Sequence, residues 1–397
     1  MMLLPMTASA ESIKIGYLYY NLDINNRTAS VAENNYGYGY TGEVVIPETV
    51  TYDGTDYMVT SIGPSAFFGD SKLSSITIPN SIITIEDNAF CGCSGLTTVT
   101  IPNSVTSIGV LAFSQCINLS SIIIPNSVNF IGNDAFKGTI WYNNKPDGLV
   151  YAGTVAYSYK GTMPDNTKIE LDENTTSIAG SAFLGCRGLT SISIPSNVIS
   201  IGNSAFKGCS GLTSLSIPNS VTFIDWYAFQ DCSGLISVSL PTGLNEIPYG
   251  AFGGCSGLVS ITIPESVTSI GSYAFQGCSS LASITIPDNV TMIYEGTFSE
   301  CSGLTSVTIP NKVTSIERAA FYYCTSLTSV NIPNSVIKIG SVAFGGCRGL
   351  TTITIGNCVT SIGESAFYGC SGLTSITIPN SVMTIDDSAL IAVFRDL

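Results

Sequence analysis

Large apolar side chains return along this chain every 23 residues. Phenylalanine marks the count: Phe67, Phe90, Phe113 and Phe136, then Phe183, Phe206, Phe229, Phe252, Phe275, Phe298, Phe321, Phe344 and Phe367, each 23 after the last except across one interval of 47. Leu390 holds the same place in a final, degenerate unit. The period is far longer than the repeat of a helix or a strand, so it marks a supersecondary unit that buries its apolar face against its neighbours.

Within one unit the polar and apolar positions alternate. The unit from Leu96 reads LTTVTIPNSVTSIGVLAFSQCIN, and the one from Leu373 reads LTSITIPNSVMTIDDSALIAVFR. In the LTSITIP segment every second residue is apolar, which predicts a half-buried strand with Ile76 and Ile78 inward and Ser75 and Thr77 outward. Proline ends that strand because it has no N–H to give to the next turn. Asparagines such as Asn103, Asn126, Asn219, Asn311, Asn334 and Asn380 follow it, with side chains that can satisfy local backbone groups. Val and Ile re-enter the core, and a glycine such as Gly109, Gly202, Gly271 or Gly363 is expected to allow a tight bend into Ala-Phe. One unit therefore encircles the core once, and successive units superpose like side chains at about 4.8 Å.

The consensus LxxIxIPxxVxxIGxxAFxxCxxL, read from Leu96 to Leu119 and again from Leu258 to Leu281, resembles the repeat of the BspA-like leucine-rich repeat family of bacterial surface proteins. The resemblance covers residues 61–397 apart from one insert. It implies a β-rich solenoid, a leucine-rich-repeat-like right-handed stack of about 14 turns, together with export and adhesion or protein–protein recognition, often of host molecules. It implies no catalytic residue to carry over.

Residues 11–60, with IGYLYYNLD and TGEVVIPETVTYDGTDYMVTSIG, resemble the amino-terminal segment of such proteins. The implied role is an N-terminal β cap over an otherwise open strand edge, with Val44, Ile46, Val50, Tyr57 and Val59 on short strands. The expected organisation is a signal-peptide remnant at 1–10, this cap at 11–60, a first repeat block at 61–136, a hairpin insert at 137–178, and a second block at 179–397. The last twelve residues, DDSALIAVFRDL, lack both the Phe and the Cys, and a truncated or continuing chain is one reading of that end.

Composition narrows the functional classes. The net charge is −14, and the 14 basic residues are thinly spread, so no cationic surface replaces the counterions of a phosphate backbone and nucleic acid is not an expected partner. No apolar run approaches the roughly 20 residues that span a bilayer, so the chain is not expected to be membrane-embedded. Met1 to Ala10 ends in Ala8-Ser9-Ala10 after a short apolar run, as signal peptides do, although no basic residue precedes it. Secretion or display at the cell surface is the expected location.

Chemistry-bearing constellations are scarce. There is no histidine, which removes Ser-His-Asp and Cys-His nucleophilic sites, and there is no phosphate-cradling or calcium-binding loop motif. No enzymatic activity, cofactor or metal is expected. Eleven of the thirteen cysteines stand three residues after the core Phe, from Cys93 to Cys370, in single file. They are read as buried structural thiols, since parallel Cβ vectors bridge poorly.

Three surfaces are candidates for binding. The first is a set of aromatics beside Ala-Phe: Trp226, Tyr227, Tyr249, Tyr273, Tyr294 and Tyr322, with Tyr323 and Tyr368, expected to line one edge. The second is the insert, expected to project as a hairpin of Leu149-Val150-Tyr151 and Val155-Ala156-Tyr157 about the connection Ala152-Gly153-Thr154, carrying Trp141, Tyr142, Tyr151, Tyr157 and Tyr159. Packing of those rings onto the stack is the competing reading. The third is the outward Ser/Thr array, including Ser214 and Ser216, Ser237 and Ser239, and Ser283 and Thr285, which also suits a merely soluble face. Extracellular or host proteins are the expected ligands. Glycans are the alternative, as is self-association into a structural coat.

Overall fold

The computed structural model describes residues 12–34 and 39–390. The 1–10 segment and the last seven residues of the degenerate end lie outside the described residues. The chain is a β-solenoid of about 14 turns with almost no helix. It falls into two units, Met1–Lys160 with Thr176–Gly180, and Gly161–Thr175 with Ser181–Leu397. Among the described residues no helix is long and apolar enough to cross a membrane.

The first unit begins with antiparallel strands Ile13–Ile15, Leu18–Asp23 and Thr28–Ala32. The last of these pairs in parallel with Thr55–Ile62, whose Ser61-Ile62 end starts a parallel ladder through Thr84–Ile85, Ser107–Ile108 and Phe130–Ile131. Val44, Ile46, Val50, Tyr57 and Val59 are all buried. In the second unit the corresponding ladder runs from Met292–Ile293 through Ser315–Ile316, Lys338–Ile339 and Ser361–Ile362 to Thr384–Ile385. The outward strands form a separate parallel set from Ser283–Thr285 through Ser306–Thr308 and Ser329–Asn331 to Thr352–Thr354. Burial alternates as the pattern predicts, with Ile284 and Val307 inside and their Ser and Thr neighbours exposed.

The core of each unit is a column of phenylalanine rings. Phe67, Phe90 and Phe113 stack 5.0–5.1 Å apart, and Phe252, Phe275 and Phe298 stack at 5.6 and 5.7 Å with planes within 7°. Every repeat Phe is sealed from solvent. Each ring is held by its backbone: Phe90 N–H donates to Ala112 O at 2.7 Å and Phe344 N–H to Ala366 O at 2.8 Å, one turn on.

Beside the phenylalanines runs a column of thiols. All eleven repeat cysteines are buried and free. Ten of them donate Sγ–H to the carbonyl of the preceding turn's Phe at 3.0–3.2 Å, as Cys278 does to Phe252 O. That hydrogen bond was not visible in the sequence. It gives the thiol a role that another small apolar residue would lack: it fills the gap and adds a second hydrogen bond to a buried carbonyl that already accepts a backbone N–H.

Three expectations need correction. The glycine after the second strand is not set by a bend, since Gly109 and Gly271 have ordinary φ. A Cβ on Gly109 would lie 2.5 Å from Asp87 N, so the constraint is the close approach of the preceding turn. The left-handed positions are two before and two after the Phe, where glycines such as Gly92, Gly208 and Gly250 alternate with non-glycine residues, including Leu111 (φ 57°), Tyr273 (φ 57°) and Val342 (φ 49°). Two of the turn asparagines, finally, bond across rungs rather than locally: Asn219 Oδ1 accepts from Thr242 N–H at 3.0 Å and Asn334 Oδ1 from Asn357 N–H at 2.8 Å.

In the first turn Asp70 takes the place of the cysteine and is only 8% exposed. A Cβ on Gly39 would fall 2.2 Å from its carboxylate, so the 39–40 segment lies directly on it. Burial pushes this carboxyl up to about 6, against a hydrogen bond from the Tyr40 backbone that lowers it. The unfolded chain then releases the proton at lower pH than the folded one, so this group removes stability as pH rises from about 4 through 6. Asp70→Asn is expected to stabilise the protein by about 1–3 kcal/mol at pH 7, with the gain vanishing below pH ~4. Urea unfolding at pH 7 and pH 3.5 checks it, and a pH-independent difference would contradict it.

Candidate functional site

The aromatic residues beside Ala-Phe fall into distinct columns because each position in the 23-residue unit repeats one rung on. Trp226, Tyr249, Glu295 and Arg318 share one position, and Tyr227, Gly250, Tyr273 and Gly296 share the next. These two columns form a continuous rim in the second unit. Lys207 Nζ lies 5.4 Å over the Tyr227 ring. Tyr227 meets Tyr249 edge-on at 5.2 Å, and Tyr249 meets Tyr273 at 5.5 Å. Tyr273 donates its hydroxyl to Glu295 Oε1 at 2.6 Å, which also accepts from Arg318 at 2.8 Å. Trp226 sits 6.3 Å from Tyr249 and is 59% exposed.

Local sequence explains the spacing. A Cβ on Gly250 would lie 2.7 Å from the Tyr227 ring, and one on Gly296 would lie 2.4 Å from the Tyr273 ring. Tyr227 and Tyr273 therefore lie down on the glycines one rung ahead. The alternation Tyr227, Gly250, Tyr273, Gly296 at 23-residue spacing is the sequence signal for this, and reading aromatics alone misses it.

The electrostatics follow from the contacts. Burial first, and then the Glu295 carboxylate that accepts its hydroxyl proton, together raise the Tyr273 phenol to about 12. The hydrogen bond from Tyr273, then Arg318, holds Glu295 below the ordinary carboxylate range. Burial also raises Tyr249, with Tyr227 beside it. The rim is thus apolar at its centre, with Lys207 at one end and the Glu295–Arg318 pair at the other.

The remaining candidates are not on this rim. Tyr294 occupies the position before Trp226's column and, among the described residues, makes no ring contact with it. Tyr322 meets Tyr323 at 4.5 Å in the columns after the Phe, so the expected single edge is several adjacent columns. The outward Ser/Thr array is in register and exposed, with Ser214 and Ser216 beside Ser237 and Ser239, and Ser237 beside Ser260.

Trp141 and Tyr142 belong to the first unit, on the short helix Ile140–Asn143 that Thr139 caps. The hairpin that follows, Gly148–Ala152 with Val155–Lys160, does not project. Its second strand pairs in parallel with Ser177–Ile178, and Val155, Ala156 and Tyr157 are buried. The connection is two residues, with Gly153 at φ 60° as the first central residue of the turn, because Ala152 and Val155 are themselves partners.

Tyr157 completes the end of the first Phe column. Phe136 lacks the next turn's carbonyl, and the Tyr157 hydroxyl accepts its N–H at 2.9 Å while its ring meets Phe136 edge-on at 5.3 Å. Trp141 packs on the same ring at 5.0 Å, with Lys145 4.6 Å over its own face. Tyr142 bonds Ser158 at 3.1 Å. These aromatics replace a missing rung, which a count of turn signals could not reveal.

A family profile described as "BspA type Leucine rich repeat region (6 copies)" matches residues 23–145, 155–282, 227–341 and 291–393. Among solved structures, a leucine-rich repeat protein from Bacteroides ovatus is 30% identical over 97% of both chains, with a TM-score of 0.49. A leucine-rich cell surface protein from Faecalibacterium prausnitzii is 28% identical over 87% of this chain and 95% of that one, at 0.39. The pneumococcal vaccine antigen PcpA is 20% identical over 97% and 95%, at 0.42. No curated protein sequence matches. By the profile that spans most of its length, this chain belongs to the BspA-type leucine-rich repeat family.

Proposed function

We propose that this chain is a secreted or cell-surface binding protein that grips an extracellular or host polypeptide along the rim of Trp226, Tyr249 and Tyr273. The observation that carries the reading is the continuity of those rings over successive rungs, with Trp226 more than half exposed. Aromatic rings offer contact area at low entropy cost, and Tyr, Trp and Arg are the residue types that dominate binding energy at interfaces. Lys207 and Arg318 flank the rings with charge that can fix an orientation. Location at the surface is supported by the kind of protein the family contains, including the Faecalibacterium cell surface relative.

The test is capture from extracellular matrix or mucus by the full chain. Replacing Trp226, Tyr249 and Tyr273 together with Ser is expected to reduce capture at least tenfold while the far-UV spectrum stays unchanged. Undiminished capture by the folded triple variant would remove the rim from consideration.

The outward hydroxyl array favours a second reading, a glycan ligand laid along the strands. Competition of capture by simple sugars separates the two, since a polypeptide held by the rim is indifferent to them.

A further inference from the structure

The position two residues after the core Phe reads Gly254, Gly277, Glu300, Tyr323, Gly346 over five consecutive rungs, all with left-handed backbone. Glycines flank this pair, so beyond each other Glu300 and Tyr323 have no side-chain neighbour on the adjoining rungs of their own column. A Cβ on Gly277 would meet only Gly254 backbone, at 3.8 Å, whereas one on Gly346 would meet the Tyr323 ring at 3.0 Å. Tyr323 therefore leans forward over Gly346, and the space on its other side is open.

That space is a surface groove. Tyr322 and Tyr323 wall it, meeting edge-on with ring centroids 4.5 Å apart and planes 75° to one another. Glu300 and Gly277 line the groove, and Ser279, Ser302 and Thr325, which share the position after the repeat cysteine, add a row of hydroxyls. Tyr323 is 40% exposed. Among the described residues three ion pairs form, and Glu300 is in none of them. Its charge contributes to raising the Tyr322 phenol, after burial and Tyr323, which places the carboxylate close to that ring.

An unpaired carboxylate beside two perpendicular aromatic faces and a row of hydroxyl acceptors is complementary to a cation. The ring faces attract positive charge, and the hydroxyls and carboxylate accept hydrogen bonds in several directions. A compact ammonium with three donors suits this arrangement better than a planar guanidinium, which wants a bidentate partner in one plane. The chain's net charge of −14 favours approach of a basic ligand to this site.

We propose that this groove holds a lysine side chain of a basic polypeptide: the ammonium on Glu300, its stem along Tyr322, and the face of Tyr323 over the charge. The site is separate from the Trp226–Tyr249–Tyr273 rim and rests on the protein-binding reading only in taking a polypeptide as occupant. Arg348 takes the next place in the Ser302, Thr325 column, one rung beyond the lining residues, and carries a charge like that of the ligand.

The experiment titrates the full chain with an N-acetylated pentalysine amide at low salt, followed by calorimetry, and compares single variants. Glu300→Gln and Tyr323→Ser are each expected to weaken binding at least tenfold, and Arg348→Ser to strengthen it. Glu265→Gln removes the same charge from an exposed residue in another column and is expected to change nothing. Thermal melts confirm that each variant is folded. Equal losses from Glu265→Gln and Glu300→Gln, or no pentalysine binding at all, would overturn the proposal, and so would full competition by equimolar choline, which would assign the site to quaternary ammonium ligands instead. Failure here leaves matrix capture by the rim unaffected, and loss of capture in the rim variant leaves pentalysine binding unaffected.

Discussion

Phe275→Ala is expected to destabilise the protein by about 3–5 kcal/mol, and Tyr273→Ala, two residues away, by no more than about 1. Phe275 is sealed from solvent and is stacked on both sides, by Phe252 at 5.6 Å and Phe298 at 5.7 Å. Its loss removes the transfer free energy of the ring, leaves a cavity that the rigid column cannot close, and severs two stacking contacts. Tyr273 is only half-buried, and its truncation also shortens a side chain carried on left-handed backbone. Because each rung contacts only its neighbours, a break in the column also weakens the coupling between the rungs on either side. Denaturant unfolding of the two variants checks the difference, and equal midpoints would defeat the assignment of the phenylalanine column as the core.

The second large effect concerns the thiols. Of thirteen cysteines, Cys358 is exposed, Cys91 is half-buried and the other eleven are buried. Burial pushes Cys255, Cys301 and Cys370 up to about 12, so little of the reactive thiolate forms at pH 8. A thiol-reactive dye is therefore expected to label two cysteines quickly in the native protein and all thirteen after denaturation without reductant. Rapid native labelling of more than two would contradict the sulfur-to-carbonyl bonding, and fewer than thirteen after denaturation would mean that some are paired as disulfides. Thiols that are both buried and hydrogen-bonded to Phe carbonyls need no reducing compartment to stay free on the timescale of native labelling, because access rather than redox poise limits their reaction.

Reading this fold from sequence succeeded wherever one position in the unit has one neighbour in space. The Phe column, the strand alternation at Ile284 and Val307, and the thiol file all follow from superposing units at a constant period. The candidate site was legible only in part. Trp226, Tyr249 and Tyr273 were visible as aromatics, but their continuity depends on Gly250 and Gly296 making room for the tyrosine rings on the rung before. Tyr322 looked like part of the same edge and instead forms a separate corner with Tyr323.

The insert shows the boundary most clearly. Composition and turn signals were enough to place a hairpin between Phe136 and Phe183, because a Gly-containing connection between two β-prone runs is a local property. Whether that hairpin stands off the solenoid or joins it is decided by what Phe136 lacks: with no following turn to accept its N–H, the Tyr157 hydroxyl takes that role and draws the strand into the ladder. Sequence alone therefore determined the period and the inward face, since these depend on residue type and spacing. Tertiary structure decided which left-handed turns the non-glycine residues accept, where Asn219 and Asn334 find partners, and which rings meet, since each of these depends on the distance between one rung and the next.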